Sequence, residues 1–588
     1  MPISLPSTAI NGQIADATAV MADLNALLGG VNSALMRDGT SLVAADMPFA
    51  GYKITGLGMP TITTDAATKG YVDTATVGLQ VGVKAFGAKG DGVTDDSAAI
   101  RIAIAATAAG GEVFFQTGIY LVSQDGANAW CLNVPATVRL VGVSSGASVL
   151  RPAATVPDTC DIIRIYPSAI YDNRGGGVFD LAILYPNNGT RAGRDAIRID
   201  TLTTAASSIT GFEIARVQTG SPTAATPGYA IGCFNDGVAN PSGGIFGAHF
   251  HDNVLNGGVR LSGSGDSMKV CKNTLTGPNV GVWATLVNGL SGPSSQLVLE
   301  DNNITSTGGC YRIEVGASTF IRGTNGENTA PGALANNGGA LIYFPKPAAW
   351  SAATAYTIGA MAYQAGQSYR CILANTNQAP PNATYWAATD PAAGSIVEGN
   401  LISMFGTSDA NTLVDVECGT GITVRNNRLL NGLGGVNCLT VGAAAIGTIV
   451  GPNIYNSTTG EANRVVDAGV GTIGVVQTLA LVNGWATIGT GDAAPSVVKD
   501  QEGFVTITGS MTGGTTGTGT LAAVLPPGFR PALTERFFPG NLNGTTYQTG
   551  EIVINTNGNV IIGNNIGATR VALLHRFRAV GGANGSVF

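Results

Sequence analysis

Residues 83–122 read VKAFGAKGDGVTDDSAAIRIAIAATAAGGEVFFQTGIYLV, and this stretch decides the fold. Val83 to Phe86 is a short apolar run that stops at Gly87 and reads as a strand. Gly87, Gly90 and Gly92 then supply a loop able to take positive φ. Thr94, Asp95 and Asp96 suit a helix start, where short oxygen side chains cap free N–H groups and carboxylates oppose the dipole. Ile100, Ala103, Ile104 and Thr107 share one helical face, and Gly110 and Gly111 end the helix. Val113 to Val122 reads as two short strands bent at Thr117 and Gly118. Such a helix can plug the open end of a stack of strands that would otherwise expose unpaired backbone.

The run AFGAKGDGVTDDSAAI closely resembles the opening motif of pectate-lyase-like right-handed β-helix proteins, in the form common in bacteriophage tailspikes. The resemblance implies an all-β parallel solenoid. It also implies that the Gly and Asp residues of the motif are structural, so Asp95 and Asp96 read as caps. Gln116 departs from the pattern, which often has Pro there.

Composition agrees with short strands and tight turns. Of 588 residues 84 are Gly, and only 11% are charged, both unusual for an ordinary enzyme. A net charge of −7 argues against general nucleic-acid binding. The eight cysteines (131, 160, 233, 271, 310, 371, 418, 438) have no CxxC or His-paired spacing and read as buried free thiols. No basic–apolar–cleavage pattern opens the chain, and no apolar run is long enough to span a membrane. The expectation is a protein without membrane insertion that leaves a cell by some route other than a signal peptide, as a phage particle does by lysis.

From about 123 to 475 a weak repeat is visible: FHDNVL, VCKNTL, LEDNNI, VEGNLI, VRNNRL and VGPNIY. Its asparagines are Asn253, Asn273, Asn302, Asn400, Asn427 and Asn453, with gaps of 20, 29, 98, 27 and 26. Removing residues 348–391 from the long gap leaves 54, two turns of 27. One short apolar strand and one Asn per period is what a parallel β-helix needs, with Asn at a bend accepting the left-handed conformation and stacking its amide in a ladder. GGVFDLAI at 176–183 and GFEIARVQ at 211–218 read as earlier coils.

The block 348–391 resembles the small chitin-binding-like carbohydrate modules of chitinases and phage tail proteins, through Trp350, Tyr356, Tyr369, Tyr385, Trp386 and the Gly359 and Gly366 turns. Exposed aromatic faces would stack on sugars; the same aromatics could equally form the core of so small a module. Residues 37–76 resemble a repeat near the N-termini of phage tail fibres through DGT, GYKITGL and DAATKGYVD, with a capped helix expected from Asp65. Before it, Ala17, Val20, Leu24, Leu27, Val31 and Ala34 recur at spacings of three and four, a trimeric coiled coil or a plain amphipathic helix. From 476 to 588 the repeat gives way to alternating strands with an Asn557-Gly558 hairpin. VLPPGFRPA and VALLHRFRAV resemble the last domain of phage tail proteins, and imply a β-sandwich for trimerisation or receptor contact.

Candidates for chemistry are few. His249 and His251 share a strand face and His575 stands apart; all three read as surface or packing groups, with no metal site and no cofactor expected. A glycoside hydrolase needs paired carboxylates; a lyase needs a cation and a base. Glu300 and Glu314 are expected to point outward, with Arg312 near Glu314 and with Asp301, Asp266, Asp252, Asp236 and Glu327 as further acids. Asp301 could instead begin the Asn bend, and any of these groups could simply solvate the solenoid. Lys269, Lys272, Arg260 and Arg312 would serve a lyase.

The sequence therefore reads as a homotrimeric phage tailspike in four parts. These are an attachment and neck segment (1–80), a β-helix (81–475), a carbohydrate-binding-like insertion (348–391) and a C-terminal β-sandwich (476–588). Its expected partners are a bacterial surface polysaccharide, capsule or O-antigen, and other virion tail proteins. Hydrolysis stands ahead of elimination, with a non-catalytic adhesin as the rival.

Overall fold

The computed structural model describes residues 16–32, 54–62 and 64–68, and within 80–579 all but 158, 168–174, 185–194, 202–207, 221–227, 235–243, 263–264, 286–295, 317, 329–336, 338, 358–359, 391, 405–411, 432–436, 458–464, 490 and 501. Three long parallel sheets form the body. Sheet A has 12 strands running from Gln80–Gly82 to Ile449–Val450. Sheet B has 12, from Asp91–Asp95 to Ile454–Ser457. Sheet C has 11, from Trp130–Pro135 to Val465–Asp467. The chain visits A, B and C in turn, so each coil lays one strand on each sheet: a parallel β-helix.

The opening stretch caps this stack. The strand lies at Gln80–Gly82, and Val83–Phe86 is a single 3-10 turn rather than the strand read from its apolar run. The helix is Ser97–Ala106, with Ile100, Ala103 and Ile104 buried beneath the first coil. Asp95 Oδ1 accepts the Ser97 N–H at 2.9 Å, while Asp96 turns back and accepts the N–H groups of Lys89 (2.6 Å) and Gly90 (3.0 Å). Both aspartates are thus tied to backbone. The strands that follow are Glu112–Phe115 and Gly118–Val122.

Register stacks like on like. The inward position of sheet A runs Val113, Leu140, Val178, Ile214, Phe250, Val270, Leu299, Ile321, Val397 and Val424, every one fully buried. Each such side chain contributes about 1.5–3 kcal/mol relative to exposure. The A–B corner is short, and the asparagines stack there. Asn253 Nδ2 donates to Asn273 Oδ1 (2.9 Å), Asn273 to Asn302 (3.1 Å), Asn400 to Asn427 (2.9 Å) and Asn427 to Asn453 (3.0 Å). Each also donates to a strand carbonyl, as Asn273 does to Phe250 O at 2.9 Å. The left-handed residue is the one before the Asn in five of the six cases: Asp252, Lys272, Asp301 and Asn426 have φ between 53° and 56° and Gly399 has φ 67°, while Pro452 before Asn453 is not left-handed. The asparagines themselves turn inward, which corrects the sequence expectation. Thr324 fills the rung missing from the long gap, donating its N–H to Asn400 Oδ1 (3.0 Å) and meeting Tyr311 OH at 2.6 Å, itself bonded to Asn302.

Residues 345–395 leave the solenoid between sheets C and A, and the coils on either side remain paired, Phe320 with Ile396 and Asn325 with Leu401. The departing block forms a three-stranded antiparallel sheet (Met361–Gln364, Gln367–Cys371, Trp386–Thr389) and a two-stranded one. After the last coil, a seven-stranded and a four-stranded antiparallel sheet share one core containing Trp485, Ile507, Phe529, Ile552 and Phe577. Asn557-Gly558 turns the hairpin between Ile552–Ile554 and Asn559–Ile562, with Gly558 at φ 90°.

The chain divides into two units, 1–74 and 75–588. In the first, Ala17–Asn32 is a helix on which Val20, Leu24 and Leu27 are exposed. Asp65 starts no helix over 65–68; its carboxylate instead accepts the N–H groups of Thr61 (2.7 Å) and Ile62 (3.1 Å). Tyr52, the rest of the GYKITGL stretch before Ile54, and 69–79 lie outside the described residues, as do Asp236 and Gly359. No described helix is long and apolar enough to cross a membrane.

Candidate active site on the outer face of sheet C

Sheets A and B meet across tight corners, and the long intervals of sequence in each coil fall between B and C or between C and A. Register builds one outward column on sheet C: Asn133, Arg164, Arg198, Gly232, Arg260, Trp283, Arg312, Tyr343 and Asp415. Successive rungs rise by ~4.8 Å. Aromatic rings hold the guanidinium groups in place. Arg164 lies 4.4 Å from the Trp130 ring centre, Arg198 3.9 Å from Phe234, Arg260 5.2 Å from Phe234 and 5.0 Å from Trp283, and Arg312 5.5 Å from Trp283.

Gly232 breaks the column for a reason. A Cβ there would collide with Asp195 Oδ2. The missing side chain leaves the space in which the Asp195 carboxyl lies, with the Arg198 rung on one side and the Arg260 rung on the other. Asp195 Oδ1 accepts the Tyr229 N–H at 2.9 Å. One coil earlier Asp161 Oδ1 accepts the Asp195 N–H at 2.9 Å, and its Oδ2 is 3.9 Å from Arg198 Nε. Burial, and then the charge of Asp161, push the Asp195 carboxyl up to about 7, against the pull of Arg198. Asp195 thus keeps its proton nearly to neutral pH, beside the Asp161 carboxyl. Asp200 is held by Arg164 (3.2 Å) and Arg198 (3.3 Å). Farther along the column, burial and Glu417 push Asp415 up to about 7 as well, and Tyr343 OH donates to Glu417 at 2.8 Å.

The residues singled out in the sequence divide between faces. Arg312 and Glu314 belong to sheet C: Arg312 Nε meets Glu314 Oε1 at 2.7 Å, and Thr285 Oγ1 donates to Glu314 Oε2. Arg260 is in the same column. Glu300 is not. It stands on sheet A in a column of alternating charge, Glu300, Arg322, Glu398 and Arg425, with ion pairs of 2.6 Å (Glu300–Arg322) and 2.8 Å (Glu398–Arg425). Glu300 and Glu314 are not brought together, because they stand on different sheets of one coil, A and C. Asp301 is the left-handed corner residue. Asp266 lies in a small three-stranded sheet paired with Phe246. Glu327 is on sheet B, and Lys269 and Lys272 sit on sheet A and at its corner.

The histidines form packing clusters. His251 is bracketed by Glu213 and Asp252, each at 2.7 Å, His249 Nε2 meets Cys271 Sγ at 3.0 Å, and His575 stacks on Phe537 at 4.7 Å. Burial, then the neighbouring His251, holds the His249 imidazole below its usual range. None of the eight cysteines is in a disulfide, and seven are buried.

In the inserted block, Tyr356 and Trp386 are core residues, edge to face at 4.9 Å, with Trp386 Nε1 donating to Gln378 O (2.6 Å) and Tyr356 OH accepting the Ser351 N–H (2.8 Å). Both side chains are buried, which favours the core reading of these two over sugar stacking. Trp350, Tyr369 and Tyr385 are half-buried and pack against that core.

Sequence reasoning missed Asp161 and Asp195. The signal was present: DIIRIY at 161–166 and DAIRID at 195–200 repeat D-x-I-R-I at a spacing of 34. The Asn series drew attention to the A–B corner, on the other side of the coil.

Comparison with known proteins agrees with this fold. Residues 80–276 match the family described as "Rhamnogalacturonase A/epimerase, pectate lyase-like". A stretch of 76 residues, 12% of the chain, is 42% identical to mannuronan C5-epimerase AlgE2 of Azotobacter vinelandii, covering 8% of that protein. A 76-residue stretch is also 43% identical to alginate lyase 7 of the same organism, covering 9% of it. The chain thus spans under a tenth of the length of these relatives. Among solved structures, the Dettilon tailspike protein aligns over 87% of this chain and 96% of its own, with 13% identity and a TM-score of 0.40. The A-module of Azotobacter vinelandii mannuronan C-5 epimerase AlgE6 aligns over 67% and 100%, with 15% identity and a TM-score of 0.37.

Proposed function

We propose that this chain is a phage tailspike that binds and cleaves a bacterial surface polysaccharide along the outer face of sheet C. The observation that carries the reading is the Asp195 carboxyl, protonated up to about 7, seated over Gly232 among arginines and aromatic rings beside the Asp161 carboxyl. Glycoside hydrolysis needs such a pair, one carboxyl to protonate the leaving oxygen and one carboxylate beside it. Asp195 takes the first role and Asp161 the second. Glu314 is three rungs from Gly232, ~14 Å along the column, beyond the ~5–9.5 Å such pairs span. With Arg312 it serves as a polar contact for the glycan. Polysaccharide as the substrate class is supported by the match to the pectate-lyase-like family and by relatives named for mannuronan and alginate.

Elimination fits less well. Lys269 and Lys272 stand on another sheet from Arg260 and Arg312, and burial holds the Tyr229 phenol well above its usual range, so it is a poor base at neutral pH. The tailspike setting rests on the resemblance of AFGAKGDGVTDDSAAI and of 37–76. The exposed Val20, Leu24 and Leu27 seam suits a helix that packs against copies of itself in a trimer.

The test is reducing-end release from a panel of capsule and lipopolysaccharide glycans, read beside absorbance at the unsaturated-uronate band. New ends without absorbance support hydrolysis. New ends with absorbance replace it with elimination. Binding with neither signal makes the protein an adhesin.

A further inference from the structure

The column holds four arginines, and three of them have carboxylate partners: Arg164 and Arg198 meet Asp200, and Arg312 meets Glu314. Arg260 makes no ion pair among the described residues. Its Nε is shut from solvent and has no hydrogen-bond acceptor. The guanidinium is instead flanked by the Phe234 and Trp283 rings, which fix its plane without satisfying its donors. Two further orphans stand beside it. Trp283, one rung up the column, has an unpartnered Nε1–H. Ser262, on the same strand as Arg260 and 3% exposed, has an unpartnered hydroxyl. Buried donors without acceptors are costly and rare. Here three occur on two neighbouring strands, next to the rung that carries Asp195.

We propose that Arg260, Trp283 and Ser262 form a subsite for an anionic substituent of the bound glycan, a carboxylate or a phosphate. All three groups can donate, and the missing element is a set of acceptor oxygens on one small anion. An oriented guanidinium matches such oxygens in a planar fork. Asp161 and Asp200 are already engaged with Arg198 and Arg164, so they leave Arg260 its charge. A sugar held there by its acidic group would present its glycosidic oxygen one rung, ~4.8 Å, from the Asp195 carboxyl. The inference rests on the reading of sheet C as the glycan face.

The test is calorimetric titration of the full chain at low salt with three probes: a galacturonate oligomer, a phosphorylated mannan and neutral dextran. One acidic probe is expected to bind, to weaken as salt rises, and to lose roughly tenfold or more in affinity in Arg260→Met. Arg425→Met, on sheet A, should bind as the parent does. Arg260→Lys keeps the charge but not the fork, and several-fold loss is expected there too; it replaces Arg260→Met should the latter fail to fold. Which acidic probe binds separates carboxylate from phosphate. Failure of both acidic probes to bind, dextran binding equally well, or unchanged affinity in the arginine variants would each overturn the subsite. Reducing-end release keeps the two claims apart. Cleavage with unchanged binding in Arg260→Met removes the subsite alone, whereas full cleavage by Asp195→Asn removes the catalytic reading and leaves the subsite to be judged by the titration.

Discussion

Asp195 sits where a side chain on residue 232 would be, and its protonation follows from that seat. Burial and Asp161 raise its carboxyl to about 7, from an ordinary 3.8. In the unfolded chain the group ionises near its ordinary value, so between about 4 and 7 the native state holds a proton that the unfolded state has lost. Its contribution to stability is therefore complete at low pH and is lost as pH rises through about 7. Asp195→Asn does not titrate. Its melting temperature relative to the parent should rise between pH 4 and pH 8; a pH-independent difference would show that the carboxyl is not buried in its neutral form. This residue was legible only as half of a repeated D-x-I-R-I, because Gly232, which makes room for it, lies in the next coil. Glu300 and Glu314 were legible as outward groups from strand alternation alone. Alternation says which side of a sheet a residue faces, not which sheet of the coil it is on, and so it could not separate Glu300 from Glu314.

At the scale of the element, the Asn ladder is a strip of buried amides that locks neighbouring coils. Asn273 accepts from Asn253 and donates to both Asn302 and Phe250 O. Asn273→Ala leaves buried groups on two coils unpaired, at roughly 1–3 kcal/mol each. A loss of about 2–4 kcal/mol in unfolding free energy is expected by urea titration; a change under ~0.5 kcal/mol would make the ladder ornamental. The ladder was readable because Asn recurs at one corner of six coils. The left-handed residue before it was not, since Asp, Lys, Gly and Asn all occupy that place. The inserted block was readable from its break in period. Because Phe320–Ile396 and Asn325–Leu401 pair across it, replacing 348–391 with a short Gly-Ser linker should leave the circular-dichroism spectrum and oligomeric state of the parent. Aggregation would mean the block is part of the solenoid's core. Its aromatics left two readings open in the sequence, and Tyr356 and Trp386 are used inside a module with only a small core of its own.

For the whole molecule, the solenoid supplies a rigid face, and the proposed trimer would assemble through the ends. A helix that leaves Val20, Leu24 and Leu27 exposed in one chain is better satisfied between chains. Light scattering of the purified protein should give three times the chain mass, and Leu24→Asp with Leu27→Asp should weaken that assembly. A monomer in the parent would contradict the trimer. The fold was legible from one motif and one repeat, since stacking like residues is what a solenoid does with a period. The site was less so: it is assembled from adjacent coils of sheet C, whose connections differ in length from turn to turn and hide the register. The central claim is that Asp195 on that sheet delivers the proton that breaks a glycosidic bond. The most direct measurement is reducing-end release at pH 6 from the host polysaccharide by the parent, Asp195→Asn and Asp415→Asn. The account predicts roughly a 100-fold or greater loss in Asp195→Asn, near-parental rates in Asp415→Asn, and unchanged circular dichroism in both. Parental activity in Asp195→Asn, with or without loss in Asp415→Asn, would contradict it.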